Sequence, residues 1–470
     1  MLTNGLSSAN ASSLSKFTSG TEQVDVCIIG AGIAGLRAAQ LLSERGRSVR
    51  LLEARDRVGG RTMGGELCGE AVDLGGQWIG PTQTRVVDLC KELGLNLIPQ
   101  YIEGKRLMEL GKKVRSYGGT IPRMSLRGLL DSAWAMHSLN QAAKSIDPAA
   151  PWKAANAMRW DRMTVDQWMQ KTLWTRDGRS MIKIIMHALY TSDPHEVSLL
   201  SLLSFVSAAG DIETQVEARG DGAQKLRVRG GAFQISERIA QRLPAGVLTL
   251  DAPVRAVEQT ASGVMVRYAG GEVNAARLIV SAAPPVAARI DFGSLLSPAR
   301  MQLHSRMPMG SVIKALVAYD RPFWREQGLS GEVISTQGPF GPIADATPPG
   351  SRHGFLVGFF EAGHSRTLAA ATQEVRRDAA VQSLQRYFGA QAASPIGYVD
   401  KDWISDPWSL GGYVGIMAPG TLTTFGPALR APCGRIHWAG TESATRWTGY
   451  MDGAIQSGER AADEVMAYFA

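Results

Sequence analysis

The chain has 470 residues, 44% of them hydrophobic and 20% charged, which is ordinary globular composition with room for two domains or one large interleaved pair. Its net charge of +7 arises from 50 Lys and Arg scattered among 43 Asp and Glu rather than clustered with stacking aromatics, so it reads as a generally basic surface and not as a nucleic-acid site. No apolar run approaches the ~20 residues of a membrane span, and the four cysteines, Cys27, Cys68, Cys90 and Cys433, form no CxxC pair, which predicts free thiols in a reducing cytoplasm rather than a disulfide framework or a metal site.

The first twenty or so residues are rich in Ser, Thr and Asn and lack the basic start and apolar core of a signal peptide, so 1–22 is expected to be a disordered tail. Val24 to Ile29 reads as a buried strand, Ile33 to Arg45 as a helix and Ser48 to Leu52 as a second strand, together a βαβ unit. Leu129 to about Ser207 has helical periodicity. From Val247 to Val280, short β-branched runs alternate with turns at Ala261-Ser262-Gly263 and Gly270-Gly271, predicting a meander. Residues 311–360 read as further strands, Thr372 to Tyr387 as a helix and Met451 to Tyr468 as a final helix. The nucleotide motif stands near the start and a second Gly-rich cluster at the end. That layout predicts a cofactor domain of 23–98, 226–290 and 396–470, with a substrate domain of 99–225 and 291–395 interleaved.

Gly30-Ala31-Gly32-Ile33-Ala34-Gly35 follows a strand and opens a helix, and Glu53 closes the next strand. The first glycine makes the turn, the second lets the backbone reach a pyrophosphate at the helix N-terminus, and the third permits close helix–strand packing. Glu53 suits ribose hydroxyls and repels a 2′-phosphate. The motif by itself does not separate FAD from NAD.

The run that follows, Ala54-Arg55-Asp56-Arg57-Val58-Gly59-Gly60-Arg61-Thr62, resembles the flavin-containing amine oxidase family of monoamine, polyamine and putrescine oxidases and related amino-acid oxidases, and the resemblance extends over nearly the whole chain from about residue 22. It implies an α/β FAD-binding Rossmann-like fold of the two-dinucleotide-binding type, with an α+β substrate region of helices and a sheet. It implies FAD wrapped by this run, with Arg55 and Arg61 pairing phosphate oxygens. Asp73-Leu-Gly-Gly76-Gln77-Trp78-Ile79-Gly80 resembles the segment beneath the flavin ring. Gly231 to Glu237 and the strand at Val254 resemble the return to the adenine side. Trp438-Ala-Gly440-Thr441-Glu442 with Gly449-Tyr450-Met451-Asp-Gly-Ala454 resembles the C-terminal flavin signature. There Glu442 would act on ribityl or phosphate groups through water, and the Met451 amide at a helix start would meet the flavin pyrimidine.

Gly310 to Tyr319 is an apolar strand carrying one cation, Lys314. From the residues alone it is either a lysine at a strand edge reaching solvent or a functional one; the resemblance implies the lysine that binds a water at flavin N5. Trp403 and Trp408 to Tyr413 resemble the approach to the substrate cavity, and Tyr413 and Tyr450 match the two positions of the monoamine oxidase aromatic cage, whose ring faces suit an amine. Gly412 stands where those enzymes carry the cysteine that links to the flavin, so FAD is expected to be non-covalent. The chain ends at Ala470, where membrane-bound relatives continue into an anchor. Gln224 and Glu217 match a cavity wall; Glu217 reads either as a partner for a diamine's second amine or, preferably, as a solvated surface acid.

The expectation is thus an FAD-dependent oxidase turning an amine to an imine that hydrolyses, with O2 reduced to peroxide, a small-molecule amine and O2 as partners, no nucleic acid, no membrane, and a homodimer left open. The alternatives are a flavin desaturase or porphyrinogen-type oxidase, an L-amino-acid oxidase, or a redox-silent FAD module.

Overall fold

A computed structural model describes residues 22–111, 113–119, 124–259 and 262–470. Residues 1–21 of the tail expected at 1–22, and the turn residue Ala261, lie outside them. Glu22, assigned above to the tail, begins the first strand.

Two seven-stranded sheets organise the chain. In the first, the apolar strand Glu22–Ile29 is central, paired in parallel with Val49–Leu52 on one side and Gly271–Val280 on the other. Being covered on both faces, such a parallel strand must be continuously apolar, as Val-Cys-Ile-Ile is here. Ile436–Trp438 joins in parallel from the far end of the chain. Val254–Gln259, Val264–Tyr268 and Gly271–Val280 form the expected meander. Leu248–Thr249, expected as part of it, instead extends the parallel edge beside Val49–Leu52. Helix Ile33–Glu44 and the terminal helix Met451–Phe469 pack together on this sheet. Gly458 permits that contact, since a Cβ there would stand 2.3 Å from the Ala34 carbonyl oxygen.

The second sheet holds Val312–Tyr319 between Gly354–Glu361 and Gly397–Asp402. Lys314 is therefore on an interior strand, which removes the strand-edge alternative. Gly397–Asp402 belongs to this sheet, although a boundary at 396 assigned it to the cofactor half. Ring-bearing side chains fill this sheet's outer face, among them Trp324, Phe340 and Phe360.

The helical stretch contains Leu126–Lys144, Val165–Thr172, Arg176–Tyr190 and Leu199–Ala209. Each start carries a side-chain cap from Ser125, Thr164, Thr175 or Ser198, which satisfies a backbone N–H that would otherwise be orphaned. Their buried faces share one apolar core. Among the described residues no helix is long and apolar enough to cross a membrane.

Candidate active site

A cavity of about 1550 Å3 runs between the two sheets and out toward helix Leu126–Lys144. At one end its wall is the dinucleotide motif. Gly30, Gly32, Ala34, Glu53, Ala54, Arg55, Gly60 and Arg61 line it, as do Gly76, Gln77, Trp78, Val254, Trp403, Gly440, Thr441, Gly449, Tyr450 and Met451. A Cβ added at Gly32 would meet nothing within 4 Å, so the glycine leaves open a space that a ligand's phosphates would need. The Glu53 carboxylate accepts from the Ala31 N–H at 2.7 Å and the Arg55 N–H at 3.0 Å, which fixes it at the strand end. The N-terminal N–H groups of helix Met451–Phe469 have no side-chain cap and open at the cavity through Met451. The Nε2 of Gln77 is buried without a partner on the same wall, a donor awaiting an acceptor. An extended dinucleotide with a hydrogen-bonding ring fits this donor set.

Three expected contacts stand off the wall. Gly35 is packed against the Gly30 carbonyl, with 1.9 Å between that oxygen and a Cβ it would gain, so it serves the helix–strand packing that the motif's third glycine permits and not a cofactor contact. Ile79 is fully buried in the core beneath. Glu442 is held by Arg61 through paired bonds of 2.5 and 3.0 Å, and its carboxylate neutralises that guanidinium instead of facing the cavity. Arg55 lines the cavity but bonds Asp406 at 2.6 Å and Ser409 at 2.8 Å. The segment Gly231 to Glu237 also stays off the cavity; its Ala232 amide holds Asp73 at 2.8 Å.

At the reaction end Lys314 is 2% exposed, and its Nζ donates to the Gly75 carbonyl and to Gln77 Oε1, both at 2.8 Å. An ammonium has three donors, so one is left for the cavity that Lys314 lines. Burial lowers its pKa, and Asp73 works in the opposite direction. Burial in turn raises Asp73, opposed by Lys314 and by the Ala232 amide. Trp78 and Phe359 place their ring centroids 5.8 and 5.9 Å from Nζ, near the limit of a cation–π contact.

Tyr413 and Tyr450 line the same end. Tyr413 is held at several points: Arg61 donates to its carbonyl at 2.7 Å, Thr191 donates to the Gly412 carbonyl, and its phenol lies 3.4 Å from Glu361 Oε1. Its ring meets Phe359 edge-on at 5.8 Å. Tyr450 is packed by Phe205 and Trp447, with centroids 5.9 and 5.1 Å away, and its phenol donates to the Gln215 carbonyl at 3.4 Å. Burial raises both phenols, so each stays protonated.

Gln224 and Glu217 line the same cavity. Glu217 is half-buried and not free: Arg106 engages both its oxygens, and the same guanidinium donates to Glu332 at 3.0 Å. Arg219 closes the group on Glu332 at 3.1 Å and Glu217 at 3.6 Å. Sequence reading missed Arg106, Glu332 and Glu361. Each stands at a strand position where a charged residue looks solvent-facing, and no local signal distinguishes them.

The model of the flavin containing amine oxidoreductase family matches residues 33–466. A probable flavin-containing monoamine oxidase A of Dictyostelium discoideum is 38% identical over 446 residues, covering 94% of this chain and 97% of its own. Amine oxidase [flavin-containing] B of Sus scrofa is 38% identical over 457 residues, covering 95% and 86%. Among solved structures, cyclohexylamine oxidase from Brevibacterium oxydans IH-35A superposes with a TM-score of 0.91 at 35% identity, over 95% of this chain and 99% of that one. Wild-type putrescine oxidase bound to putrescine gives 0.91 at 32%, over 95% and 100%. With the lysine, two tyrosines and dinucleotide wall gathered on one cavity, the conclusion is that this chain belongs to the flavin-containing amine oxidase family and is an FAD-dependent amine-oxidising enzyme.

Proposed function

We propose that Lys314, Tyr413 and Tyr450 form the reaction centre, that FAD is held without a covalent link, and that the substrate is a simple amine with an apolar skeleton. The observation that carries this reading is Lys314: a buried cation with two neutral acceptors and one donor left over. Burying it in an apolar strand costs several kcal/mol unless it is satisfied, and its two acceptors come from the Gly75–Gln77 segment of the cofactor wall.

FAD held on this wall would supply the two-electron acceptor for oxidation of the amine at its α-carbon, with O2 as the final oxidant. The protein's part is to bind, orient and desolvate. The ring faces of Tyr413 and Tyr450 receive the neutral amine, and Phe205, Phe359, Ile185 and Leu189 supply apolar wall around it. The free N–H of Lys314 holds a water beside the reacting end. Gln77 Nε2 and the open start of helix Met451–Phe469 offer donors to the cofactor ring. Arg61, neutralised by Glu442, is left to position the Tyr413 carbonyl.

Non-covalent attachment is supported by Gly412 and by a cavity wall on which no cysteine stands among the described residues. Four free cysteines are consistent with a reducing compartment such as the cytoplasm. A simple monoamine is favoured over a diamine because Glu217 and Glu332 are already neutralised by Arg106 and Arg219. An amino acid is disfavoured because Arg106 is taken by those same carboxylates. Anaerobic mixing of holoenzyme with a panel of monoamines, diamines and amino acids is the test, with flavin bleaching by monoamines expected. Bleaching by none of them would refute the reaction centre, and bleaching by diamines alone would refute the substrate class. Acid precipitation should release all flavin into the supernatant.

A further inference from the structure

Glu361 ends the strand Gly354–Glu361 and is 2% exposed. It occupies the N-cap of helix Ala362–Ala369, yet its side chain does not cap that helix. Nor does it form an ion pair among the described residues; the polar side chain that bears on it is the Tyr413 phenol, 3.4 Å from Oε1. Burial pushes the Glu361 carboxyl up to about 8, so acid and carboxylate are both within reach near neutral pH. Lys314 lies on the adjoining strand, two residues from Val312, the register partner of Glu361, and Tyr450 stands across the cage. On the outer side, the neighbouring elements carry Lys183, His187, Asp193, Glu196, His364 and Arg366, which engage one another. Of all these groups only Tyr413 moves the ionisation of Glu361.

Resting on the reaction centre described above, we propose that Glu361 is a positioning residue whose protonation state sets the direction of the Tyr413–Glu361 hydrogen bond, and so whether the phenol presents the bound amine with an acceptor or a donor. A carboxylate only accepts, so the phenol must then donate to it and turns lone pairs alone toward the cavity. A carboxylic acid can donate to the phenol oxygen, which frees the phenol O–H to point at the amine. A donor there engages the nitrogen lone pair that drives hydride release; an acceptor leaves it available. The phenol oxygen and Glu361 Oε1 stand 3.4 Å apart, and a carboxylate accepting from a phenol favours a shorter contact of ~2.5–2.7 Å. Ionised Glu361 is the productive state, and amine oxidation gains a pH dependence that belongs to the protein rather than to the substrate.

Cyclohexanone, which accepts hydrogen bonds, carries no donor and does not ionise, is the probe. Its affinity for FAD holoenzyme, read from flavin absorbance, should fall at least about threefold between about pH 6.5 and 9.5, ~0.65 kcal/mol, with a midpoint near 8. Glu361→Gln keeps the shape and cannot ionise, so there the affinity should change by less than about 1.5-fold. A flat wild-type profile overturns the proposal. So does a profile unchanged in Glu361→Gln, which would assign the titration to Lys314 and Asp73. A second arm needs neither ligand nor variant at 361: in the pH-difference infrared spectrum of holoenzyme, a protonated-carboxyl band should vanish with the same midpoint and move in frequency in Tyr413→Phe. Absence of any such band sensitive to Tyr413→Phe overturns the proposal, whether or not the ketone binds. Failure of amines to bleach the flavin would refute the reaction centre itself and leaves both arms readable.

Discussion

At the mouth of the cavity, Arg106 and Arg219 meet Glu217 and Glu332 in a closed group of two cations and two anions. At the reaction end, Lys314 has only neutral hydrogen-bond acceptors and Glu361 only a phenol. The pairing has opposite consequences for protonation. Hydrogen bonding and charge from Glu217 and Glu332 outweigh burial and hold Arg106 above its ordinary pKa, and Arg106 likewise holds Glu217 below its own, so both stay ionised across the working pH range. Lys314 and Glu361, with burial as the largest influence, are driven toward their neutral forms. Charges held by close ion pairs shape a wall; groups in a dry site without such a contact, Glu361 beside a phenol and Lys314 with Asp73 acting on it but not bonded to it, are the ones whose protons can move.

The sharpest way to break this comparison is at the reaction end. Replacing Tyr413 and Tyr450 together with Leu should lower kcat/KM about a hundredfold with FAD still bound, because small misplacements of reacting atoms cost that much. Near-normal steady-state kinetics in a flavin-replete double variant would return both rings to plain core packing. Lys314→Met keeps length and apolar character while removing the ammonium. Flavin reduction by amine, reoxidation by O2, or both should slow at least about tenfold, ~1.4 kcal/mol. Stopped-flow mixing separates the two half-reactions, after the flavin-to-protein ratio has been checked. Rates within about twofold of wild type would make Lys314 a structural residue.

The pH dependence sharpens the contrast with a smaller effect. The flavin reduction rate or the apparent amine affinity should rise at least severalfold between about pH 7 and 9, since the neutral fraction of a free alkylamine, whose pKa lies near ~10.4, grows steeply through that range although most of it stays protonated. Glu361, whose pKa is raised, becomes a carboxylate through the same interval, so its contribution has the same sign. A flat anaerobic reduction profile would contradict both. The smallest effect belongs at the mouth. Glu217→Gln leaves Arg106 paired with Glu332, and Arg219 with Glu332. Monoamine kcat/KM should stay within about twofold of wild type. A tenfold loss would show that the paired acid takes part in binding after all.

The sequence by itself determined the parts of this protein that are local. The βαβ unit, its three glycines and Glu53 were legible because a tight turn, a close phosphate approach and a strand end each impose their own residue type over about 25 positions. Caps such as Ser125, Thr164 and Thr175 lie where short-range hydrogen bonding puts them. The family resemblance pointed to Lys314, Tyr413 and Tyr450 and to the chemistry they serve. What the tertiary structure alone decided is which charges are paired. Lys314 reaches acceptors 239 and 237 residues away, Tyr413 meets a carboxyl 52 residues away, and Glu217 meets an arginine 111 residues away. Glu361 ends an apolar strand and Glu217 follows the short helix Ile212–Val216, and neither local setting says what the acid will meet. Only the fold sets one beside a guanidinium and the other beside a phenol, because ionisation answers to the dielectric and the neighbours that distant segments bring, and not to the residues on either side.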